Sequence, residues 1–261
     1  MATSNPTAPS QRVALRAALL RFAPAVSLTA VVAFWQILSL FYPPFILPGP
    51  VVVVGRFVDK LFDGTLPRHA LVTLSEALPG LVIGTLLAFA VGYPAAKSAL
   101  AERLISPVVV TSQGVPFVAI APLIFLWFGS GPGAKILVCA IIVFFPITIN
   151  IIAGIRGIPP LWRDLFRTHH ASRRDTFLKL ELPAALPFVF AGLRVGATLS
   201  MVGALAGEFL AADRGLGFLI NQANGLYDTA LVMAGILAIV ILALGLNAGV
   251  RALEGRLSRA S

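Results

Sequence analysis

The chain has 261 residues, of which 58% are hydrophobic and only 12% charged, against roughly 25% charged in an average soluble domain. That balance excludes a soluble enzyme, a disordered tail and a coiled coil, and 23 Gly with 19 Pro in no fixed period exclude collagen. The net charge of +9 is read as membrane topology rather than nucleic-acid binding, because Lys and Arg collect on cytoplasmic loops.

A bilayer core needs about 20 apolar residues per crossing helix. Six windows qualify, at 24–42, 74–97, 104–128, 134–155, 188–212 and 229–250. The first is too long for a signal-peptide core and ends in Tyr42-Pro43-Pro44 without a small-residue cleavage site, so it is read as a retained helix. With the N-terminus inside, fourteen Lys and Arg fall in cytoplasmic segments and five, including His69's neighbour Arg68 and Lys135, fall outside. The sequence therefore predicts an all-α membrane protein with six transmembrane helices and both termini cytoplasmic. It is divided into an N-terminal tail over 1–23, one transmembrane domain over 24–250 and a C-terminal tail over 251–261. Phe41, Tyr42, Trp127, Phe128 and Tyr227 fall at the outer boundary as an aromatic belt.

The outer segment 43–73 contains Val51 to Val54, Phe57, Val58, Leu61 and Phe62 at helical spacing. This predicts a short amphipathic helix at the interface. Small residues recur every four positions on three helices: Gly80, Gly84, Ala88 and Gly92; Gly192, Gly196, Ser200 and Ala204; Gly245 and Gly249. Such stripes admit close helix contact, within the chain or against a second copy.

Helix three carries Pro107, Pro116 and Pro122 around Thr111-Ser112-Gln113-Gly114. Broken helix at membrane depth is tolerated against protein or a water-filled cavity, so Ser112, Gln113 and Pro116 are candidate pathway residues. Glu208, near the outer end of helix five, joins them, and Glu76 occupies a similar depth on helix two. Arg194 lies two turns inside helix five, with its charge expected to reach the inner surface.

The segment 156–187, between helices four and five, is the most informative. Pro160 suits a helix start. Leu161, Trp162, Leu165, Phe166 and His169 then share one face. Ser172 with Asp175 three residues on is a capping box opening a second helix, which Pro183 and Pro187 are expected to end. An apolar face on a short cytoplasmic helix marks a partner surface.

The spacing of this loop resembles the EAA loop of bacterial ABC-importer permeases, whose pattern is E-A-A, three residues, G, nine residues, I-x-L-P. Asp164-Leu165-Phe166, His170, Leu180, Leu182 and Pro183 occupy those positions. The second half is close to the family, whereas the first replaces two alanines and the glycine. His170 in place of glycine would need a left-handed turn that costs a side-chain-bearing residue roughly 1–2 kcal/mol. Leu47-Pro48-Gly49-Pro50, Leu126 to Gly129 and Gly215 to Ile220 are similar to the branch that imports nitrate, sulfonates, taurine or pyrimidine precursors of thiamine.

The resemblance implies a permease subunit without its own ATPase, in a bacterial inner membrane. It implies a second copy of the chain, two ATP-binding subunits that carry ATP and magnesium, and an extracytoplasmic binding protein. No cofactor bound by this chain follows from it. The ATPase-docking residues it implies are Leu161, Trp162, Asp164, Leu165, Phe166, His169, His170, Leu180, Leu182 and Pro183. The chain contains no phosphate-cradling G-x-x-x-x-G-K-[ST] sequence. An enzyme reading finds no support in its three histidines: His69 stands apart in an outer, solvated segment, and adjacent His169 and His170 point about 100° apart on a helix. A secondary transporter would require paired intramembrane charges and an internal repeat, and neither is evident.

Overall fold

The structure is a computed structural model that describes residues 11–112, 114 and 117–257. Every regular element among these residues is helical: α1 (Gln11–Ser39), α2 (Pro50–Phe62), α3 (Thr65–Lys97), α4 (Ala99–Ser112), α5 (Phe117–Phe128), α6 (Pro132–Arg156), α7 (Pro160–Thr168), α8 (Arg173–Thr176), α9 (Leu182–Ala211), α10 (Leu216–Gly225) and α11 (Thr229–Leu257). Glycine followed by proline opens α2 and α6, through Gly49-Pro50 and Gly131-Pro132. Proline at the first helical position loses no bond, since that N–H has no partner in any helix.

Among the described residues, four helices are long and apolar enough to cross a membrane, over Thr65–Lys97, Pro132–Arg156, Arg173–Ala211 and Thr229–Leu257, while Ala25–Ser39 and Ala119–Phe128 are shorter apolar stretches. The third expected span is thus two helices, α4 and α5, parted around the proline-rich segment. Gln113 and Pro116, two of the pathway candidates, lie outside the described residues. The second span begins at Thr65 rather than near 74. The expected terminal tails are partly helical, since α1 starts at Gln11 and α11 runs to Leu257.

The core is a sandwich of α6 between α3 and α9. Glycines set its thickness. A Cβ on Gly84 of α3 would lie 2.6 Å from the Ala140 carbonyl oxygen of α6, and one on Gly203 of α9 would lie 2.9 Å from the Cys139 Cα. Two of the three small-residue stripes are therefore spent inside the chain. Leu81, Val143, Ile147, Ile151, Val189 and Phe190 fill the space between them. Close approach of this kind replaces the hydrophobic drive that lipid does not supply. The third stripe is open among the described residues, since a Cβ on Gly245 or Gly249 of α11 would meet nothing within 4 Å there.

Helix α2 packs against α11 and α3 instead of merely lying on an interface. Phe57 joins Leu66, Leu216, Leu219 and Ala238 in a small core, and Arg56 pairs with Asp228 at the α10–α11 turn. Asp63 then opens α3: its Oδ1 accepts from the Thr65 N–H at 2.8 Å and its Oδ2 from Lys60 at 2.7 Å. These donors, Lys60 first, hold its carboxyl well below the usual range. Helix α1 touches the rest chiefly through α2, where Trp35 Nε1 donates to the Pro48 carbonyl at 3.1 Å. Val26, Leu28, Val31, Phe34 and Ile37 remain exposed, as do all five residues of the expected aromatic belt.

Candidate functional site

The two-helix element over 160–183 forms as its local sequence dictates. Pro160 begins α7. At the far end of α7 the Ala171 N–H donates to the Phe166 carbonyl and the His170 N–H to the Arg167 carbonyl, each at 3.0 Å. This pair of bonds is a Schellman cap, with the residue after the cap in the left-handed region. His170 is that residue, at φ 48°. The glycine position of the motif keeps its turn conformation although glycine is missing. Ser172 then accepts from the Asp175 N–H at 3.0 Å and donates to the Asp175 carboxylate at 2.5 Å, completing the capping box.

The prolines do not end the second helix. Phe177–Glu181 is a π-helical turn, in which the Leu182 N–H donates to the Phe177 carbonyl five residues back. The chain runs on through Pro183 and Pro187 as one helix over Arg173–Ala211. A proline takes one donor out of the ladder and crowds the preceding turn; a wider local turn accommodates both.

This continuity sorts the candidate docking residues. Leu161 is 78% exposed, and Trp162, Asp164, Leu165, His169 and His170 are exposed with it. Phe166 is half-buried beside a cavity of about 210 Å³ lined by Lys97, Arg163, Thr176 and Glu181. Leu180 is buried, and Leu182 and Pro183 are half-buried. The first half of the motif presents a surface, while the second half roots it. Arg163 strengthens the root by donating to the Ile155 carbonyl at 2.6 Å, at the last turn of α6, where unpaired carbonyls attract a cation.

A second polar centre sits at the opposite end of the core. Glu208 of α9 is buried, with Oε1 accepting from the Thr73 hydroxyl at 2.7 Å and Oε2 from the Gly217 N–H at 2.5 Å. Thr73 Oγ1 in turn accepts from the Leu216 N–H at 2.9 Å. The carboxylate and the hydroxyl together satisfy the first N–H groups of α10, which no helix satisfies for itself. Gly215, at φ 110°, leads into α10, and any Cβ there would overlap the Glu208 carboxylate. Glu208 thus serves as a clamp. Ser112 bonds back to the Val109 carbonyl at 2.9 Å at the end of α4, a separate setting.

His69 is on α3, half-buried, and not a free solvated residue. Its Nδ1 lies 2.9 Å from the Gly215 carbonyl oxygen and 3.1 Å from the Gly215 nitrogen, so either tautomer finds a partner. Lys135, expected as an outer-loop charge, is 5% exposed and reaches Glu76 at 3.0 Å. One paired charge therefore does exist in the core. Arg194 pairs with Glu254 of α11. Sequence reasoning also passed over Glu181, Tyr93 and Lys97, which meet at the root of the loop. The available signal was a lone acid in the otherwise apolar run Leu180-Glu181-Leu182-Pro183.

The family described as "Binding-protein-dependent transport system inner membrane component" matches residues 80–260. The chain belongs to this family. The permease is 42% identical over 228 residues to the riboflavin transport system permease protein RibX of Chloroflexus aurantiacus, covering 86% of this chain and 85% of that one. It is 32% identical over 236 residues to the formylaminopyrimidine transport permease protein ThiX of Halalkalibacterium halodurans, covering 88% and 92%. It is 31% identical over 231 residues to the taurine transport system permease protein TauC of Escherichia coli, covering 86% and 84%. Its fold matches a chain of the MetNI methionine ABC transporter at a TM-score of 0.61 and 20% identity, over 77% of this chain and 98% of that one. The protein is a multi-pass membrane permease subunit of an ABC transport system, and a non-enzymatic one. The family implies an ATPase and a substrate-binding protein as partners.

Proposed function

We propose that α7 is the surface on which a cytoplasmic ATPase subunit sits, and that two copies of the permease and two ATPase subunits form the working importer. The exposed apolar face of Leu161, Trp162 and Leu165 carries this reading. Clustered apolar surface on a short, polar-flanked helix marks a partner site. Asp164, His169 and His170 lie at its rim, and Phe166 backs it. ATP and magnesium are held by the ATPase subunits. Closure of those subunits displaces the loop, and an external binding protein supplies the substrate at the other face.

The permease crosses a bacterial inner membrane six times with both termini cytoplasmic. Besides the four long helices, α1 supplies one crossing. Together α4 and α5 supply another, for their 14 and 12 residues rise about 39 Å at 1.5 Å each, enough for a core of about 30 Å. The facing ends of α4 and α5 border the pathway.

The transported solute belongs with pyrimidine-type heterocycles. The relatives named for riboflavin and formylaminopyrimidine are 42% and 32% identical, and both compounds contain a pyrimidine ring.

The test of docking is Leu165→Asp together with Trp162→Ala. The permease should insert and purify normally but lose its ATPase subunits on co-purification. Full retention of the ATPase by both variants would refute the docking surface. Uptake of radiolabelled riboflavin by the reconstituted complex, with the binding protein present, tests the solute class.

A further inference from the structure

Among the described residues, three ion pairs tie a core helix to a neighbour at the loop end: Arg156 with Glu102, Arg194 with Glu254, and Lys97 with Glu181. In the first two, both side chains remain about a third exposed, whereas the Glu181 side chain is 5% exposed. A carboxylate is withdrawn from water only where fixed donors replace its hydration. Both oxygens of Glu181 are so held. Tyr93 donates its hydroxyl at 2.8 Å to Oε2, and Lys97 takes Oε1.

The position of this contact is its main feature. Glu181 closes the π-helical turn and Phe177 opens it. The Phe177 ring packs edge-on against Tyr93, with centroids 5.2 Å apart and planes at 86°. Tyr93 and Lys97 are four residues apart, hence on one face of α3. The π turn, the one irregular point between the loop and α9, is thus gripped at both ends by a single turn of α3. Without that grip, a displacement of the loop could dissipate by rewinding the turn, where hydrogen-bond register is least fixed.

We infer that Glu181, Tyr93 and Lys97 form a strut that passes displacement of the coupling loop to α3 as well as α9, with Glu181 as a positioning residue for transport. The inference rests on the docking reading above and adds the route by which motion leaves the loop.

The experiment is amide hydrogen exchange on the intact permease–ATPase complex, with and without ATP, magnesium and orthovanadate. In the wild type, trapping should slow exchange about tenfold both at 160–170 and at 90–97, the scale of one strong charge-assisted bond. Glu181→Gln and Tyr93→Phe should keep the response at 160–170 and lose it at 90–97, while Lys97→Arg should retain both. Should Glu181→Gln fail to fold, Tyr93→Phe, which removes one hydroxyl, decides alone. A wild-type response at 90–97 in these variants overturns the strut. So does exchange there that rises equally with and without nucleotide, which is the mark of a merely structural contact. A silent loop at 160–170 in the wild-type complex refutes docking instead, which keeps the two failures apart.

Discussion

Lys135 on α6 and Glu76 on α3 meet at 3.0 Å with both side chains withdrawn from solvent. The second carboxylate oxygen of Glu76 is buried without a hydrogen-bond partner among the described residues. A buried pair is costly to break from one side, because the survivor is left as an uncompensated charge. Lys135→Met should therefore destabilise the permease by about 3–5 kcal/mol. Adding Glu76→Leu should recover most of that loss, since it removes the stranded charge. Thermal unfolding of the purified single and double variants measures both, and a double variant no better than the single would show the two sites to be uncoupled.

The clamp on α10 makes its own ordering of variants. Gly215→Ala must place a methyl group inside the Glu208 carboxylate and hold alanine at φ 110°, so it should be poorly folded. Glu208→Gln keeps an acceptor but gives up one of the two satisfied donors, a cost of about 1–3 kcal/mol. Gly131→Ala, where a Cβ meets nothing within 4 Å, should be close to neutral. Expression and unfolding temperature should rise in that order, and equal tolerance at Gly215 and Gly131 would contradict the clamp.

At the turn between α7 and α8, His170→Gly should relieve a left-handed residue that carries a side chain. The gain is about 0.5–1 kcal/mol after glycine's greater freedom in the unfolded chain is counted. A β-branched residue, as in His170→Val, should do the reverse and loosen the turn. Exchange protection of the Ala171 amide, which closes the cap, reports each directly.

The glycine stripes should divide cleanly. Gly84→Leu inserts a side chain where a Cβ already falls 2.6 Å from a backbone oxygen, and no stable permease should result. A Cβ on Gly249 meets nothing within 4 Å among the described residues, so a folded Gly249→Leu subunit should form. Its mass in detergent then shows whether that face of α11 joins two copies.

What could be read from the sequence was whatever is local. The capping box at Ser172, the apolar face of α7 and the turn demanded of His170 depend on residues within a few positions of one another, and each formed as expected. The pairing of Lys135 with Glu76 spans 59 positions, and that of Glu181 with Lys97 spans 84. No periodicity encodes such partners, so Lys135 read as a loop charge simply because it stands near the start of an apolar run. Pro183 misled for another reason. Proline ends helices by its effect on a regular ladder, and the π turn that lets this one continue depends on support from α3. Likewise Glu208 read only as a candidate pathway residue, because its bond to Thr73 spans 135 positions.

The unbroken helix over Arg173–Ala211 has 39 residues and is about 58 Å long at 1.5 Å per residue, close to twice the hydrocarbon thickness of about 30 Å. It is a lever with the π turn near one end and Glu208 near the other. One degree of tilt moves that tip by about 1 Å relative to the other end, comparable to the tolerance of a hydrogen bond. The grip on α10 and the root of the α7 element are thus two ends of one helix, and a displacement at one end reaches the other as long as the π turn over Phe177–Glu181 stays gripped by α3.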